Sequence, residues 1–174
     1  HPRIIAALER ANEGAALPYG DDPWTAEAEA CFRSLFGEDI EVFLVPLGTG
    51  ANTLAFNSMV RPWHAIVCSD IAHTLTTESG AVEAVVGCKM LGVPSMHGKI
   101  TPEAVESCLG VLGDPHHNQP RVVALTQSTE VGTLYTPEEI RTLCDTAQSN
   151  QLKQILGCDG DVRNLTGDGC AVAD

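Results

Sequence analysis

Apolar residues recur at helical spacing through "HPRIIAALERANEG" (residues 1–14), which closes on Gly14, a residue suited to a helix C-terminus. After the turn "YGDD" (19–22), "DPWTAEAEACFRSLFG" predicts a second helix with Asp22 as N-cap, Pro23 at its first position and Gly37 closing it. "IEVFLVP" (40–46) is a continuous apolar run and is expected to be a buried strand, followed by a Gly-Thr-Gly turn and a helix over 50–60.

The pattern then alternates. Strands are expected at 65–69, 88–94, 121–127 and 152–156, with a short helix or loop at 73–81 and a helix at 101–112. Thr136 and Glu139 have capping-box spacing at the head of a helix over 136–148. Strands that read as unbroken apolar runs bury both faces, so the expected fold class is α/β, a mostly parallel sheet covered by helices on both sides. With no repeat, linker or low-complexity tract, one domain is expected.

Composition narrows the partners. A formal net charge of −13 over 174 residues argues against nucleic acid and anionic membrane surfaces, and no apolar run has the length of a membrane span. The seven cysteines are odd in number and form no Cys-x-x-Cys pair. Most sit inside apolar helix or strand patterns and read as small hydrophobes in a reducing cytoplasm, without a disulfide framework. The histidines show no zinc spacing, and "DGDVRNLTGDGC" (159–170) departs from a calcium loop at its third ligand, its glycine and its closing glutamate, so no metal is expected.

The candidate chemistry starts at "FLVPLGTGANTLAF" (43–56). Gly48-x-Gly50 followed by Asp70 invites a dinucleotide reading, but Thr53 stands at the third glycine; a P-loop would need a Gly-Lys-Ser/Thr that is missing. A tight turn without a ligand remains open. The third reading is a cup for one phosphate, built from the amides of residues 48–51 and the Thr49 hydroxyl at a helix N-terminus.

Taken in order, "HPRIIAALERAN", "YGDDPWT", "FLVPLGTGAN", "AIVCSDIAH", "GKITPEAV" and "QPRVVALTQSTEVGTLYTPEEI" resemble the threonine aldolase branch of the β-eliminating lyases, pyridoxal-phosphate enzymes of the aspartate-aminotransferase fold class. The resemblance runs from His1 to about Asn150 and covers the first part of the large domain. It implies pyridoxal 5'-phosphate as cofactor, amino acids as substrates, and a homodimer or homotetramer. It also implies cleavage of the Cα–Cβ bond of β-hydroxy-α-amino acids, as in threonine to glycine and acetaldehyde.

Carried over by residue, the resemblance places the phosphate on Gly48, Thr49 and Gly50, the last replacing the family's usual alanine. His73 stacks on the cofactor ring and helps deprotonate the substrate hydroxyl, and His116 falls near a second active-site histidine, with His117 its rival. Asp159 pairs with the ring nitrogen. Tyr19 belongs to a segment that approaches a neighbouring subunit's site, and Arg163 is the candidate clamp for the substrate carboxylate.

The match also departs from the family. The "HMDGAR-like" element reads "GCDGDVRN" (157–164), with the arginine one place late. Lys89, Lys99 and Lys153 lack the Ser-x-Lys context of a Schiff-base lysine, and neither the opening Ser-Asp-Asn segment nor the C-terminal small domain is recognised. The expectation is therefore an incomplete large domain over 1–174, an inactive fragment of such a lyase. The alternative is a non-catalytic shortened chain that assembles with a full-length subunit.

Overall fold

A computed structural model describes residues 1–158 and 161–164, with side chains described as far as Lys153. The chain divides into two compact units, His1–Leu44 and Val45–Asp174.

The first unit holds two helices, α1 (Pro2–Ala11) and α2 (Pro23–Phe36). Both begin with proline in the first turn, where the missing N–H costs nothing. The Asp22 carboxylate caps α2 by accepting from the Thr25 amide and the Thr25 hydroxyl, each at 2.8 Å. Neither helix buries a residue, and Ile4, Ile5, Leu8 and Leu35 are exposed.

The second unit is built on a sheet of order β2-β1-β3-β4-β5. Its strands are β1 (His64–Ser69), β2 (Lys89–Val93), β3 (Gln119–Thr126), β4 (Lys153–Cys158) and β5 (Asp161–Asn164). The first four run parallel, and β5 returns antiparallel to β4. The register of β1 on β3 slips beside Pro120, which has no N–H to give a ladder.

Alternation along the strands sends side chains to two cores. Ile66, Cys68 and Val122 face one side, where they pack with Phe56 and Met59 of α3 (Gly48–Met59) and Val82 and Val86 of α5 (Ala81–Val86). Val67, Val123 and Leu125 face the other, against Val105 of α6 (Pro102–Glu106) and Ile140 and Leu143 of α7 (Pro137–Ser149). Each such fully buried aliphatic side chain contributes about 1.5–3 kcal/mol. The α/β sheet covered on both faces is thus the observed architecture.

Three expectations need correction. Residues 40–46 form no strand; Phe43 and Leu44 are 75% and 57% exposed, because no described strand lies beside them to share a ladder. The predicted helix over 101–112 stops at Glu106 and resumes only as a 3₁₀ turn, Leu109–Val111. Cys144, fully buried on α7, is disulfide-bonded, whereas Cys31, Cys68, Cys88 and Cys108 are free thiols. Pairing depends on which distant chain a helix meets, and cysteine spacing does not show that. Residues 73–81, expected as short helix or loop, contain α4 (His73–Thr76) and the approach to α5. Among the described residues no helix is long and apolar enough to cross a membrane.

Candidate functional site

From β1 the chain steps to one side to form β2, then crosses back to form β3 on the other. The connections after β1 and β3 therefore diverge to opposite faces and leave a crevice beyond their carboxyl ends. Open α/β sheets place ligands at such a switch point.

His73 opens α4 just beyond β1, and Glu130 lies in the loop just beyond β3. Glu130 Oε1 accepts from the His73 backbone amide at 2.7 Å, from ring Nδ1 at 2.9 Å and from the Thr126 hydroxyl at 3.3 Å. Burial works against ionisation of Glu130, but the two His73 donors, with its own backbone amide, outweigh it and hold the carboxyl below its usual range.

The far side of the ring is also engaged. Nε2 lies 3.3 Å from the Asn52 side-chain amide nitrogen and 3.8 Å from Glu78 Oε1. The same amide nitrogen donates to Glu78 Oε1 at 2.8 Å. Glu78 is 8% exposed, and its Oε2 is buried without a hydrogen-bond partner among the described residues.

Asn52 ties this histidine to the glycine turn, because it lies in the second turn of α3. The helix starts at Gly48, two residues before the expected start, and its cap, Leu47, offers no side-chain acceptor. The Gly50 and Ala51 amides bond to Leu47 O. No acceptor is recorded among the described residues for the Gly48 or Thr49 amide, nor a partner for the Thr49 hydroxyl. A Cβ built on Gly48 would meet nothing within 4 Å, so the turn is open on its outer side. This donor set fits one phosphate group. It does not fit a dinucleotide fingerprint: no described strand precedes the turn, Thr53 is bonded to Thr49 O, and Asp70 is engaged by Ser95 at 2.7 Å.

His116 and His117 are not brought here. His116 lies in the turn before β3, at the amino end of the strand whose carboxyl end carries Glu130. The eight residues of β3 separate the two ends by roughly 20–25 Å. His117 pairs instead with Asp114 at 3.0 Å in that turn. Tyr19 belongs to the first unit and is 99% exposed, with φ of 67°. Arg163 sits in β5 opposite Leu156 of β4, and its side chain is not among those described; Asp159 lies outside the described residues.

Asn52, Glu78 and Glu130 went unnoticed in the sequence. Each stands in or beside a stretch already singled out, and the two glutamates follow strand ends of a parallel sheet. That position, rather than any spacing, was the available signal.

A family model described as Beta-eliminating lyase matches residues 2–160. The low specificity L-threonine aldolase of Pseudomonas sp. (strain NCIMB 10558) is 43% identical over 148 residues, covering 84% of this chain and 43% of that protein. The solved threonine aldolase of Leishmania major superposes with a TM-score of 0.84 at 31% identity, over 90% of this chain and 46% of that one. An archaeal alanine:glyoxylate aminotransferase, at 18% identity and a TM-score of 0.64 over 88% and 39% of the two chains, shows the same fold. This chain spans less than half the length of the relatives it matches. A match over nearly all its residues establishes that the chain belongs to the beta-eliminating lyase family.

Proposed function

We propose that this chain is the cofactor-binding segment of a pyridoxal-phosphate-dependent lyase that cleaves the Cα–Cβ bond of β-hydroxy-α-amino acids, with threonine to glycine and acetaldehyde as the reference reaction. The observation that carries the reading is the contact of Asn52 with His73, which joins the open end of α3 and the histidine into one site.

The Gly48 and Thr49 amides and the Thr49 hydroxyl would hold the cofactor's phosphate, aided by the helix dipole. Asp159 is assigned to the ring nitrogen on resemblance alone. When bound, pyridoxal phosphate supplies the electron sink for the pair released at Cα. The chain's own task is to remove the β-hydroxyl proton. With Nδ1 committed to Glu130, His73 has Nε2 as the nitrogen for that transfer. Arg163 as carboxylate clamp, Tyr19 as a contact to a neighbouring subunit, and a homodimer or homotetramer complete the reading. A cytoplasmic location belongs to it too, supported by the four free thiols among the described residues and opposed by the disulfide at Cys144.

Equilibrium dialysis against pyridoxal phosphate and against pyridoxal, together with acetaldehyde release from threonine, tests the proposal. A clear preference for the phosphorylated form, reduced in Thr49→Ala, is expected. Equal binding of the two compounds would remove the phosphate cup and with it the reading.

One observation favours the second reading, an assembly module without its own turnover. Lys89 and Lys153 begin β2 and β4, at the amino ends of the strands and so at the end of the sheet away from His73, and Lys99 is bound to Glu139 at 2.6 Å. None of the three is placed to bond covalently to a cofactor in the crevice. Co-elution with a full-length aldolase subunit in size-exclusion chromatography, without acetaldehyde release by this chain alone, would favour that reading.

A further inference from the structure

The contacts around His73 form a single directed chain. Glu78 Oε1 can only accept from the Asn52 side chain, so at 2.8 Å the Asn52 group facing it must be the amide nitrogen. Turning the amide over would set two oxygens against each other at that distance. The same nitrogen then presents its second hydrogen to His73 Nε2 at 3.3 Å, which in the neutral ring must be the nitrogen without a proton. The ring proton accordingly sits on Nδ1, where Glu130 accepts it at 2.9 Å. Donors and acceptors agree at every link.

Resting on the proposed lyase reading, we infer that Asn52, oriented by Glu78, is a positioning residue that locks His73 in its Nδ1–H tautomer and so reserves the Nε2 lone pair for the substrate proton. The Nε2 contact is the longest of these three links, at 3.3 Å against 2.8 and 2.9 Å, so it is the link that yields when a substrate hydroxyl arrives. A proton taken up on Nε2 then meets Glu78 Oε1, already 3.8 Å away. Glu78 therefore has two tasks: it sets the Asn52 amide before the transfer and offsets the ring charge after it. The two carboxylates that meet the ring come from different connections, Glu78 from the one after α4 and Glu130 from the one after β3.

The lock is redundant with Glu130, so it must be tested where Glu130 no longer decides. Ring nitrogens of ¹⁵N-histidine-labelled protein would be observed by NMR, with the pH raised until the ring is neutral and His73 assigned by the loss of its signals in His73→Gln. In Glu130→Gln, whose amide can donate or accept at Nδ1, the Nδ1–H tautomer is expected to persist because Asn52 still donates to Nε2. Adding Asn52→Ala should shift the tautomer ratio toward Nε2–H by about fivefold to tenfold, the worth of one hydrogen bond. Adding Glu78→Ala instead should do the same by freeing the Asn52 amide, whereas Glu78→Gln should leave the ratio in place. The second route serves if Asn52→Ala does not fold. An Nε2–H ring in the unmodified protein or in Glu130→Gln overturns the inference, as does a ratio that stays unchanged when Asn52→Ala or Glu78→Ala is added. The readout needs neither cofactor nor substrate, so an intact lock in a protein that shows no phosphate preference would strike the functional reading and not the lock.

Discussion

Glu130 meets His73 twice with one oxygen, at the backbone amide (2.7 Å) and at ring Nδ1 (2.9 Å), so the residue fixes both where α4 begins and how its first side chain points. Burial opposes the charge on Glu130, and the bonds from His73 prevail and lower its carboxyl below 4.5. A carboxyl lowered on folding adds stability that is complete above its unfolded value and fades as pH falls through the lowered one. The stability advantage of the unmodified protein over Glu130→Gln should therefore shrink as the pH falls below 4.5. Urea unfolding of both proteins between pH 3 and pH 4.5 measures this, and an advantage that grows on acidification in that range would contradict it.

Gly98 adopts φ of +79°, and a Cβ there would stand 2.8 Å from Thr129 Cβ. Thr129 cannot retreat, since its hydroxyl is shared with Thr133 at 2.7 Å. Gly98→Ala should lower unfolding stability by about 1–3 kcal/mol, through the strained backbone and the displaced loop. Because that loop carries Glu130, the same variant should also disturb the ring signals of His73.

Tyr135 is 4% exposed, and its hydroxyl accepts from the Ile100 amide at 2.8 Å; burial pushes its phenol up to about 12. Tyr135→Phe leaves that amide unpaired in the core and should cost about 1–3 kcal/mol in urea unfolding. Ultraviolet titration should show one tyrosine ionising only near the alkaline limit of the folded protein.

Cys31 is exposed and should react with a thiol reagent in the folded protein at neutral pH. Cys68, fully buried and pushed up to about 12, should react only after denaturation. Mass spectrometry of labelled peptides separates the two, and prompt labelling of Cys68 would show that β1 is not buried as described.

Particular residues show why much of the fold could be read in advance. The Thr136–Glu139 capping box, the Asp22–Pro23 helix start and the apolar strands at β1 and β3 are local signals, and each is present in the structure. The run at 40–46 carries the same apolar signal but no strand lies beside it, and pairing is a property of neighbours rather than of the segment. The site divides in the same way. Gly48, Thr49 and His73 announce themselves by type and place, whereas Glu78 and Glu130 matter only because the strand order brings two connections together. His116 shows the converse: a histidine singled out by its type, which the chain places before the amino end of β3 while Glu130 follows the carboxyl end.

The parallel order has a consequence for how the protein is made. β1, with five of its six residues buried, leaves the ribosome about 20 residues before β2 and about 50 before β3. At roughly 5–20 residues per second, the most apolar strand of the sheet waits on the order of 1–4 s for its first neighbour and about 2.5–10 s for its second. Until then His64–Ser69 is an unpaired apolar strand, and the exit tunnel or a chaperone must shield it from pairing with other chains.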